Sequence, residues 1–565
     1  MPAASDPVRF SDIRPTTPDL DRLGAQAQEL CDALARETSA RACVDLLHDW
    51  EGARRRVGSY DAMVDLAFSQ NTLDEGRKAV REAWDEVSPR WTELQVKVKR
   101  ALLSHPDREA LEAELGAQAF ALWESEVLTF DPTIKSDLVK ESSLKAEYTE
   151  LLAKAELEFR GEALNLSTIG KYRVSADREV RHDAESVLWG WFEANGTQLD
   201  RVFDDLVRVR TKMATDLGFV DYVGMGYKRM CRVDYELGDV ERFREEVRTQ
   251  VVPLATKLVE RQARELGVNP IMAWDEYVHD LRGNPAPKGN RAWMVERAQE
   301  MFDDMGPRLG GFFRRMQDGG FLDLDSRKGK AGGGFCTAFP THGMPFVYAN
   351  FNGTKGDVEV LTHEIGHAFQ CYESRDQWPS DYLWPTLESC EVHSMSLEFL
   401  TWPYMEAFFR EDADRFRRTH LTESILFLPY GTAVDHFQHE LYENPEATPA
   451  ERHAMWRRME QTYLPWRDWG DLSHPSKGGR WQHQRHIYLD PFYYIDYVLA
   501  QTCALQFWAR AEVDRKAAMK DYVALCERGG SAPFQELVRS AGLTSPFEAG
   551  CLGDVVARAS ETLEL

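Results

Sequence analysis

The chain has 565 residues, of which 43% are hydrophobic and 28% charged, and this is the composition of an ordinary soluble globular protein. By length alone it could hold about four domains, although large enzymes with a single core are also common. The formal net charge of −25 argues against a nucleic-acid partner and against binding to an anionic membrane. The sequence has no apolar run near the ~20 residues that span a bilayer, so we expect no membrane partner.

The N-terminus and the cysteines both bear on the cellular compartment. The first residues lack the basic and apolar regions of a secretory signal. The nine cysteines include no CxxC pair, and their scatter is typical of reduced, mostly buried thiols. We therefore expect a cytoplasmic protein.

The first 200 residues predict a helical region that follows an extended lead-in. Apolar residues recur at helical spacing along Leu23–Leu34 and along Val80–Val98, where Pro89 is expected to kink the helix. Further helical patterns cover residues 109–126 and 144–162. Strand signals are almost absent from this part of the chain.

Two short strands are predicted ahead of the main motif, at Phe335–Phe339 and at Phe346–Phe351, with a turn over residues 340–345. The glycines at 332–334 lack the GxxxxGK[ST] spacing of a phosphate-binding loop, so we interpret them as a flexible connector. A strand beside the next helix could bind an extended peptide by adding a strand to a sheet edge. We expect Phe346–Phe351 to be that strand.

The strongest motif is His-Glu-x-x-His, with histidines at 363 and 367. Residues four apart lie on one face of a helix, so His363 and His367 can offer two imidazoles to one zinc ion. Glu364 lies beside them and could accept a proton from a water molecule near the metal. Asp357 is a plausible N-cap for this helix. The alternative interpretation is a helix that carries two unrelated histidines.

A third metal ligand is expected from the helix that follows. Glu388, Glu391 and Glu398 share one helical face, and any of them could complete a site with two histidines and one glutamate. Such a site keeps a fourth position open for water. By spacing alone all three carboxylates are candidates, and solvent-facing carboxylates are the alternative.

Two later segments are also rich in polar and aromatic residues. Asp435–Glu440 has the order HxxHE, which matches neither HExxH nor its inverse, and we interpret it as ordinary helix surface. The segments 478–488 and 490–497 concentrate histidines and tyrosines. They could form an aromatic core with satisfied hydroxyls, or a set of donors directed at a developing oxyanion.

Together these segments carry a family resemblance. The sequence resembles the thimet oligopeptidase and oligoendopeptidase F family of zinc metallopeptidases, and it is most similar to the shorter Pz-peptidase-like bacterial members. The similarity runs through residues 332–339, residues 348–354, the HExxH motif, residues 391–398 and residues 486–497.

The resemblance implies a mainly α fold of the zincin type. Two helical lobes would enclose a deep central channel, with a small β-sheet beside the HExxH helix. Residues 1–195 would form the N-terminal helical lobe, and residues 196–565 would form the catalytic metallopeptidase region.

The resemblance also implies the site residues. One zinc ion per chain would bind His363, His367 and Glu391, which selects Glu391 among the three candidate carboxylates. Glu364, His486 and Tyr497 would be catalytic, with Glu364 as the general base and the other two stabilising the oxyanion. Tyr494, Tyr493 and Tyr348 would bind the substrate, and His483 is an alternative to His486.

The implied function is zinc-dependent hydrolysis of peptide bonds in short, unstructured oligopeptides. Glu364 would take a proton from the attacking water and pass it to the leaving amine. The alternative is a non-catalytic peptide-binding protein that contains zinc, although structural zinc usually has four protein ligands. A third possibility is a metalloenzyme that acts on a non-peptide amide.

Overall fold

The structure is a computed structural model that describes residues 8–565. It is mainly helical, with a three-stranded sheet and a separate two-stranded hairpin. In the part of the chain that the structure describes, no helix is both long enough and apolar enough to cross a membrane. The predicted mainly α fold with a small sheet is confirmed.

The elements are numbered in chain order. The helices before the catalytic motif are α1 (Leu20–Leu34), α2 (Ala40–Gln70), α3 (Glu75–Leu103), α4 (Arg108–Leu115), α5 (Ala117–Leu128), α6 (Lys135–Ala153), α7 (Gly170–Arg173), α8 (Arg178–Asp216), α9 (Tyr222–Arg229), α10 (Leu237–Glu246), α11 (Val252–Leu266), α12 (Arg291–Met305) and α13 (Pro307–Asp318). The strands are β1 (Leu157–Phe159), β2 (Glu162–Leu164), β3 (Leu322–Asp325), β4 (Phe335–Phe339) and β5 (Met344–Phe351). The remaining helices are α14 (Gly356–Glu373), α15 (Leu387–Leu400), α16 (Glu406–Phe409), α17 (Ala413–Glu443), α18 (Pro449–Tyr463), α19 (Ser473–Ser476), α20 (Arg485–Leu489), α21 (Tyr494–Arg528), α22 (Phe534–Ser540) and α23 (Cys551–Thr562).

The N-terminal helices follow the sequence pattern with local exceptions. In α3 the residues Val80 and Val87 are exposed, whereas the other members of the predicted apolar stripe are buried. The pattern over 109–126 is divided between α4 and α5 at Gly116, whose positive φ of 92° favours glycine. The predicted helix over 144–162 ends at Ala153, and the chain turns into the β1–β2 hairpin.

The buried apolar residues form two main clusters. One cluster contains buried residues of the first five helices, α1 through α5, together with Tyr382 from the segment after α14. The other contains most of the remaining buried apolar residues. The predicted boundary between residues 195 and 196 falls inside α8, which runs without a break from Arg178 to Asp216. The division into 1–195 and 196–565 therefore stays a prediction, and the first apolar cluster covers a shorter N-terminal stretch.

The three-stranded sheet confirms both predicted strands and adds a third. Its order is β3-β5-β4, with β3 parallel and β4 antiparallel to β5. Because β5 lies in the centre, both of its edges are already paired. The prediction that a peptide could add to Phe346–Phe351 is therefore wrong, and the edge strands are β3 and β4.

The link between the sheet and α14 differs from the predicted cap. Asp357 lies inside the first turn of α14, and its carboxylate accepts hydrogen bonds from the backbone N–H groups of Asn352 (2.9 Å) and Gly353 (2.8 Å). Asp357 is thus not the N-cap. Burial raises the pKa of this carboxyl group to about 6. Its role is to fix the turn that connects β5 to α14.

Helix α14 packs very closely against α15 at Gly366. A Cβ atom at this position would lie 2.6 Å from the Cα of Ser394 and 2.8 Å from the carbonyl oxygen of His393. Both neighbours are backbone atoms, so they cannot rotate away as a side chain could. The opposite face of α14, with Leu361, Ile365 and Ala368, is buried.

We therefore expect Gly366→Ala to lower the free energy of unfolding by about 1–3 kcal/mol, because the two helices must separate. Gly190→Ala is the matched control, since Gly190 is also helical and a Cβ there meets no atom within 4 Å. The control should be neutral or stabilise by up to about 1 kcal/mol. Urea unfolding followed by circular dichroism compares the two, and equal midpoints would contradict the packing argument.

Candidate active site

Three ligand-type side chains meet where α14 crosses α15. His363 and His367 lie one turn apart on α14, and Glu391 extends from α15. Oε2 of Glu391 lies 3.1 Å from Nε2 of His363 and 3.2 Å from Nε2 of His367. The candidate ligand atoms of the three residues all lie within 4.8 Å of one another.

This geometry fits a metal ion. Zinc takes nitrogen and oxygen ligands at about 2.0–2.2 Å in a tetrahedron, so its ligand atoms lie roughly 3.3 Å apart. The observed separations are close to that value. Glu391 is also held in place, because Ser394 Oγ donates to its Oε2 (2.9 Å) and the Tyr493 hydroxyl donates to its Oε1 (2.5 Å).

The three carboxylates that spacing could not separate now have different positions. Glu391 lies between the two histidines. Glu398 accepts from Nδ1 of His363 at 2.8 Å, on the side of the ring away from Glu391. Glu388 is buried and accepts from the Thr386 hydroxyl at 2.9 Å.

A chain of hydrogen bonds behind His363 sets its tautomer. The Trp402 indole can only donate, and it donates to Nδ1 of His420 at 2.9 Å. His420 must therefore carry its proton on Nε2, which donates to Oε2 of Glu398 at 2.8 Å. Glu398 in turn accepts from Nδ1 of His363. In the neutral imidazole, this arrangement leaves Nε2 of His363 without a proton and able to bind a metal.

Glu364 is almost fully buried, with 5% of its surface exposed. Its Oε2 has no hydrogen-bond partner among residues 8–565. Burial raises the pKa of Glu364, and the neighbouring His363 and His367 oppose that shift. A buried carboxylate with a free oxygen beside a metal-type cluster is suited to accepting a proton from a bound molecule.

The absence of a side chain at Gly334 leaves space beside the Glu364 carboxylate. A Cβ at Gly334 would lie 2.9 Å from Oε1 of Glu364, so β4 begins directly beside the Glu364 carboxylate. The predicted description of residues 332–334 as a flexible connector misses this role.

A second hydrogen-bond chain orients His486 and Tyr497. The Tyr430 hydroxyl donates to Oε1 of Gln484 at 2.7 Å, which directs the Gln484 amide nitrogen to Nδ1 of His486 at 3.0 Å. His486 therefore carries its proton on Nε2, 3.1 Å from the Tyr497 oxygen. When the Tyr497 oxygen accepts the hydrogen bond from His486, its own hydroxyl hydrogen is free to donate elsewhere.

Burial keeps His486 and Tyr497 in the protonation states that this chain of hydrogen bonds requires. It lowers the pKa of His486, so the imidazole is neutral near pH 7. It raises the pKa of Tyr497 well above its usual value, so the phenol stays protonated.

A cavity of about 610 Å³ lies over these groups. One wall comes from the N-terminal helices through Phe68, Arg81 and Lys145. The other walls carry the residues of the metal-type cluster, Glu364, His486 and Tyr497, together with Gly332 to Thr337, a segment that ends in the first residues of β4. A molecule in this cavity would contact the histidine-glutamate cluster and the edge strand at once.

Comparison with known proteins identifies the family. Residues 311–555 match the profile described as Peptidase family M3, and residues 10–130 match the Peptidase M3 N-terminal domain. A crystal structure at 3.1 Å, reported under the name oligoendopeptidase F, is 46% identical, with a TM-score of 0.97 and 99% of both chains covered. This chain belongs to peptidase family M3.

Two further structures agree with this M3 assignment. PZ peptidase A with an inhibitor is 43% identical, with a TM-score of 0.97 and coverage of 98% of this chain and 99% of that one. An oligoendopeptidase F from Bacillus anthracis is 40% identical, with a TM-score of 0.92 and 99% of both chains covered. No curated protein matched in a corresponding sequence search. The chain is thus an M3 metalloendopeptidase with a zincin-type fold.

The other predicted site residues of this M3 peptidase lie at or near the cavity, with two exceptions. Tyr493 and Tyr497 line the cavity, and Tyr494 packs beside His486 with ring centroids 5.1 Å apart. His483 lies against Trp189 and Phe192 and is absent from the cavity wall, which favours His486.

Tyr348 does not occupy the substrate-binding position predicted for it. Its side chain is buried, and its hydroxyl lies 2.6 Å from the carbonyl oxygen of Ala331 and 2.9 Å from that of Ser69. The hydroxyl is used to join the sheet to α2, so we correct its role from substrate contact to support of the edge strand.

The segment Asp435–Glu440 is not ordinary helix surface. Asp435 and His439 are buried inside α17, and Asp435 forms an ion pair with Arg244 at 2.9 Å. The Tyr227 hydroxyl lies 3.2 Å from His439. The segment is a structural polar network, because a buried carboxylate requires a charged or hydrogen-bonding partner.

The orienting residues of the M3 site could not be predicted from the sequence. Glu398 appeared only as a candidate ligand, although it lies seven residues after Glu391 and hence on the same helical face. His420, Trp402, Gln484 and Tyr430 carry no motif, and only the fold brings them to the site.

We expect Glu398→Gln to weaken zinc affinity by about 10–100-fold. Both partners of Glu398 donate, and a glutamine can accept through only one of its two polar atoms, so one N–H loses its acceptor. Glu388→Gln is the control on the same helix, and it should keep the wild-type affinity. Competition with a chelator measures both, and equal affinities would contradict the orienting role of Glu398.

Proposed function

We propose that this M3 peptidase is a zinc-dependent endopeptidase that hydrolyses peptide bonds in short, unstructured oligopeptides. The observation that carries the proposal is the cluster of His363, His367 and Glu391 at the wall of a large cavity, with the unpartnered Oε2 of Glu364 beside it. The separations in this cluster support zinc as the ion, because nitrogen and carboxylate donors at tetrahedral spacing suit it.

Zinc, when bound at these three residues, would polarise the scissile carbonyl and lower the pKa of a water molecule. Glu364 then takes a proton from the attacking water and delivers it to the leaving amine. Its burial helps both steps, because a raised pKa brings the carboxyl group closer to the working pH.

Tyr497 stabilises the oxyanion that forms on the scissile carbonyl. Its oxygen accepts from His486, so its own hydrogen is available to an oxygen atom in the cavity. His486 acts through Tyr497, and Gln484 and Tyr430 keep His486 in the correct tautomer. Tyr493 supports Glu391 and also lines the cavity, and Tyr494 packs beside His486.

The substrate class follows from the walls of the cavity. The cluster is reached between the N-terminal helices and the edge strand β4, so an extended peptide can bind along Phe335–Thr337. A folded protein cannot present its backbone there without local unfolding. We propose peptides of roughly 5–20 residues, given a reach of ~3.3 Å per extended residue.

The compartment is also part of the proposal. All nine cysteines are free thiols in the structure, and several are buried. This supports a reducing cytoplasm, in which such an enzyme would remove peptide fragments and leave folded proteins intact.

Tyr497→Phe removes one hydroxyl group and little volume. We expect kcat to fall by about 10²–10³-fold with little change in KM, because the hydrogen bond strengthens in the transition state. Steady-state kinetics on one peptide measures both constants. A change confined to KM would assign Tyr497 to substrate binding instead.

The oligopeptide function is tested with one cleavable sequence in two contexts. The sequence is offered as a free peptide and within an exposed loop of a stable protein, each with metal-free and zinc-restored enzyme. We expect cleavage of the free peptide only, and only with zinc. Comparable kcat/KM for the two contexts would contradict the claim that the site admits only unfolded peptides. Cleavage by the metal-free enzyme would contradict the zinc mechanism.

A further inference from the structure

Arg485 is a cation on the cavity wall that lacks an anionic partner. Three cationic side chains line the cavity. Arg81 forms ion pairs with Asp65 at 2.6 Å and Asp85 at 2.8 Å, and Lys145 lies 3.4 Å from Asp490. Within residues 8–565, no carboxylate lies within 4.0 Å of the Arg485 guanidinium. Arg485 is therefore the one of these three cations that has no carboxylate within ion-pair distance.

Two glycines just before β4 leave room for the Arg485 side chain. A Cβ at Gly332 or Gly333 would lie 3.3 or 3.4 Å from Nη1 of Arg485, so these glycines leave room for the guanidinium. The next residue, Gly334, lies against Oε1 of Glu364. Arg485 thus lies beside the chain one or two residues before the glycine that faces the proton-accepting group, in the segment that leads into β4.

The charge of Arg485 favours one direction for a peptide on this strand. In antiparallel pairing with β4, the part of the peptide after the scissile bond runs toward Gly333 and Gly332. In parallel pairing, the part before the bond would lie there, and a nearby N-terminal ammonium would be repelled. A carboxylate on the C-terminal side is attracted, and a guanidinium can bind it through two parallel hydrogen bonds.

The geometry points to Arg485 as a carboxylate-binding residue of the substrate site. It recognises a carboxylate one to three residues after the scissile bond, as either the C-terminal α-carboxylate of a short peptide or an acidic side chain. This inference rests on the proposed peptidase function and adds the chemistry that the site selects. The helix that carries Arg485 also carries His486, so recognition and catalysis share one rigid element.

The first experiment compares matched peptides with the wild-type enzyme. One arm pairs a free C-terminal acid with its amide, with two or three residues after the scissile bond. The other arm uses longer amidated peptides and pairs Glu with Gln at each of the first three positions after that bond. We expect kcat/KM to be about 10–100-fold higher for the carboxylate member of at least one pair, the range for a hydrogen bond to a charged group. The responding arm identifies the source of the carboxylate.

The second experiment assigns the preference to Arg485. Arg485→Gln should bring the carboxylate-to-neutral ratio of kcat/KM close to one, and Arg485→Lys should retain part of it because the charge remains. Lys145→Gln is the control, since Lys145 lines the same cavity but already faces Asp490. Loss of the ratio in the Lys145 variant and not in the Arg485 variant would overturn the assignment.

Two results separate this inference from the proposed function. If the wild-type enzyme cleaves every pair equally, the peptidase function stands and the carboxylate inference is overturned, whatever the variants do. If no peptide is cleaved, binding of the acid and amide peptides to zinc-loaded enzyme by isothermal titration calorimetry still tests Arg485. Equal binding of the two members there would also overturn it.

Discussion

The site depends on one close contact, the approach of α14 to α15 at Gly366. This contact lets Glu391 reach the two imidazoles of the neighbouring helix although its carboxylate is 1% exposed. A buried carboxylate without a compensating charge is costly, so the same packing that excludes water makes a cation between these groups favourable. The metal-binding geometry is therefore a consequence of helix packing as much as of the motif.

Two hydrogen-bond chains then decide what each histidine presents to the cavity. The chain that begins at the Trp402 indole leaves a lone pair on His363, and the chain that begins at the Tyr430 hydroxyl leaves a proton on His486. The first arrangement suits a metal ligand, and the second supports a hydroxyl donor at Tyr497. Neutral imidazoles thus perform opposite tasks because their far nitrogens meet opposite partners.

The sequence predicted the parts of the fold and site that depend on local spacing. The HExxH helix follows from the four-residue spacing of its histidines, and the strands β4 and β5 follow from two short aromatic-rich runs separated by a turn. The strand β3 was missed because it has only four residues and pairs with a distant segment in parallel. The position of β5 in the centre of the sheet, and hence the free edge at β4, depends on that missing strand.

The roles of side chains that act through tertiary contacts also could not be predicted from the sequence. Tyr348 and Asp357 have residue types that suit a binding or capping role, and only the packing around them shows that their polar atoms are already used. The pair Asp435 and His439 looks exposed in the sequence because burial of α17 depends on helices far along the chain. Spacing identifies candidates, whereas the fold determines which atoms stay free.

The central claim is that a bound zinc ion and the free oxygen of Glu364 act together on one peptide bond. Glu364→Gln keeps the size of the side chain and removes the proton acceptor, so zinc content and single-turnover cleavage should be measured on the same sample. The account predicts one zinc per chain and cleavage slowed by about 10²–10⁴-fold, the usual contribution of a general base. Near-normal cleavage by a zinc-loaded variant would contradict it.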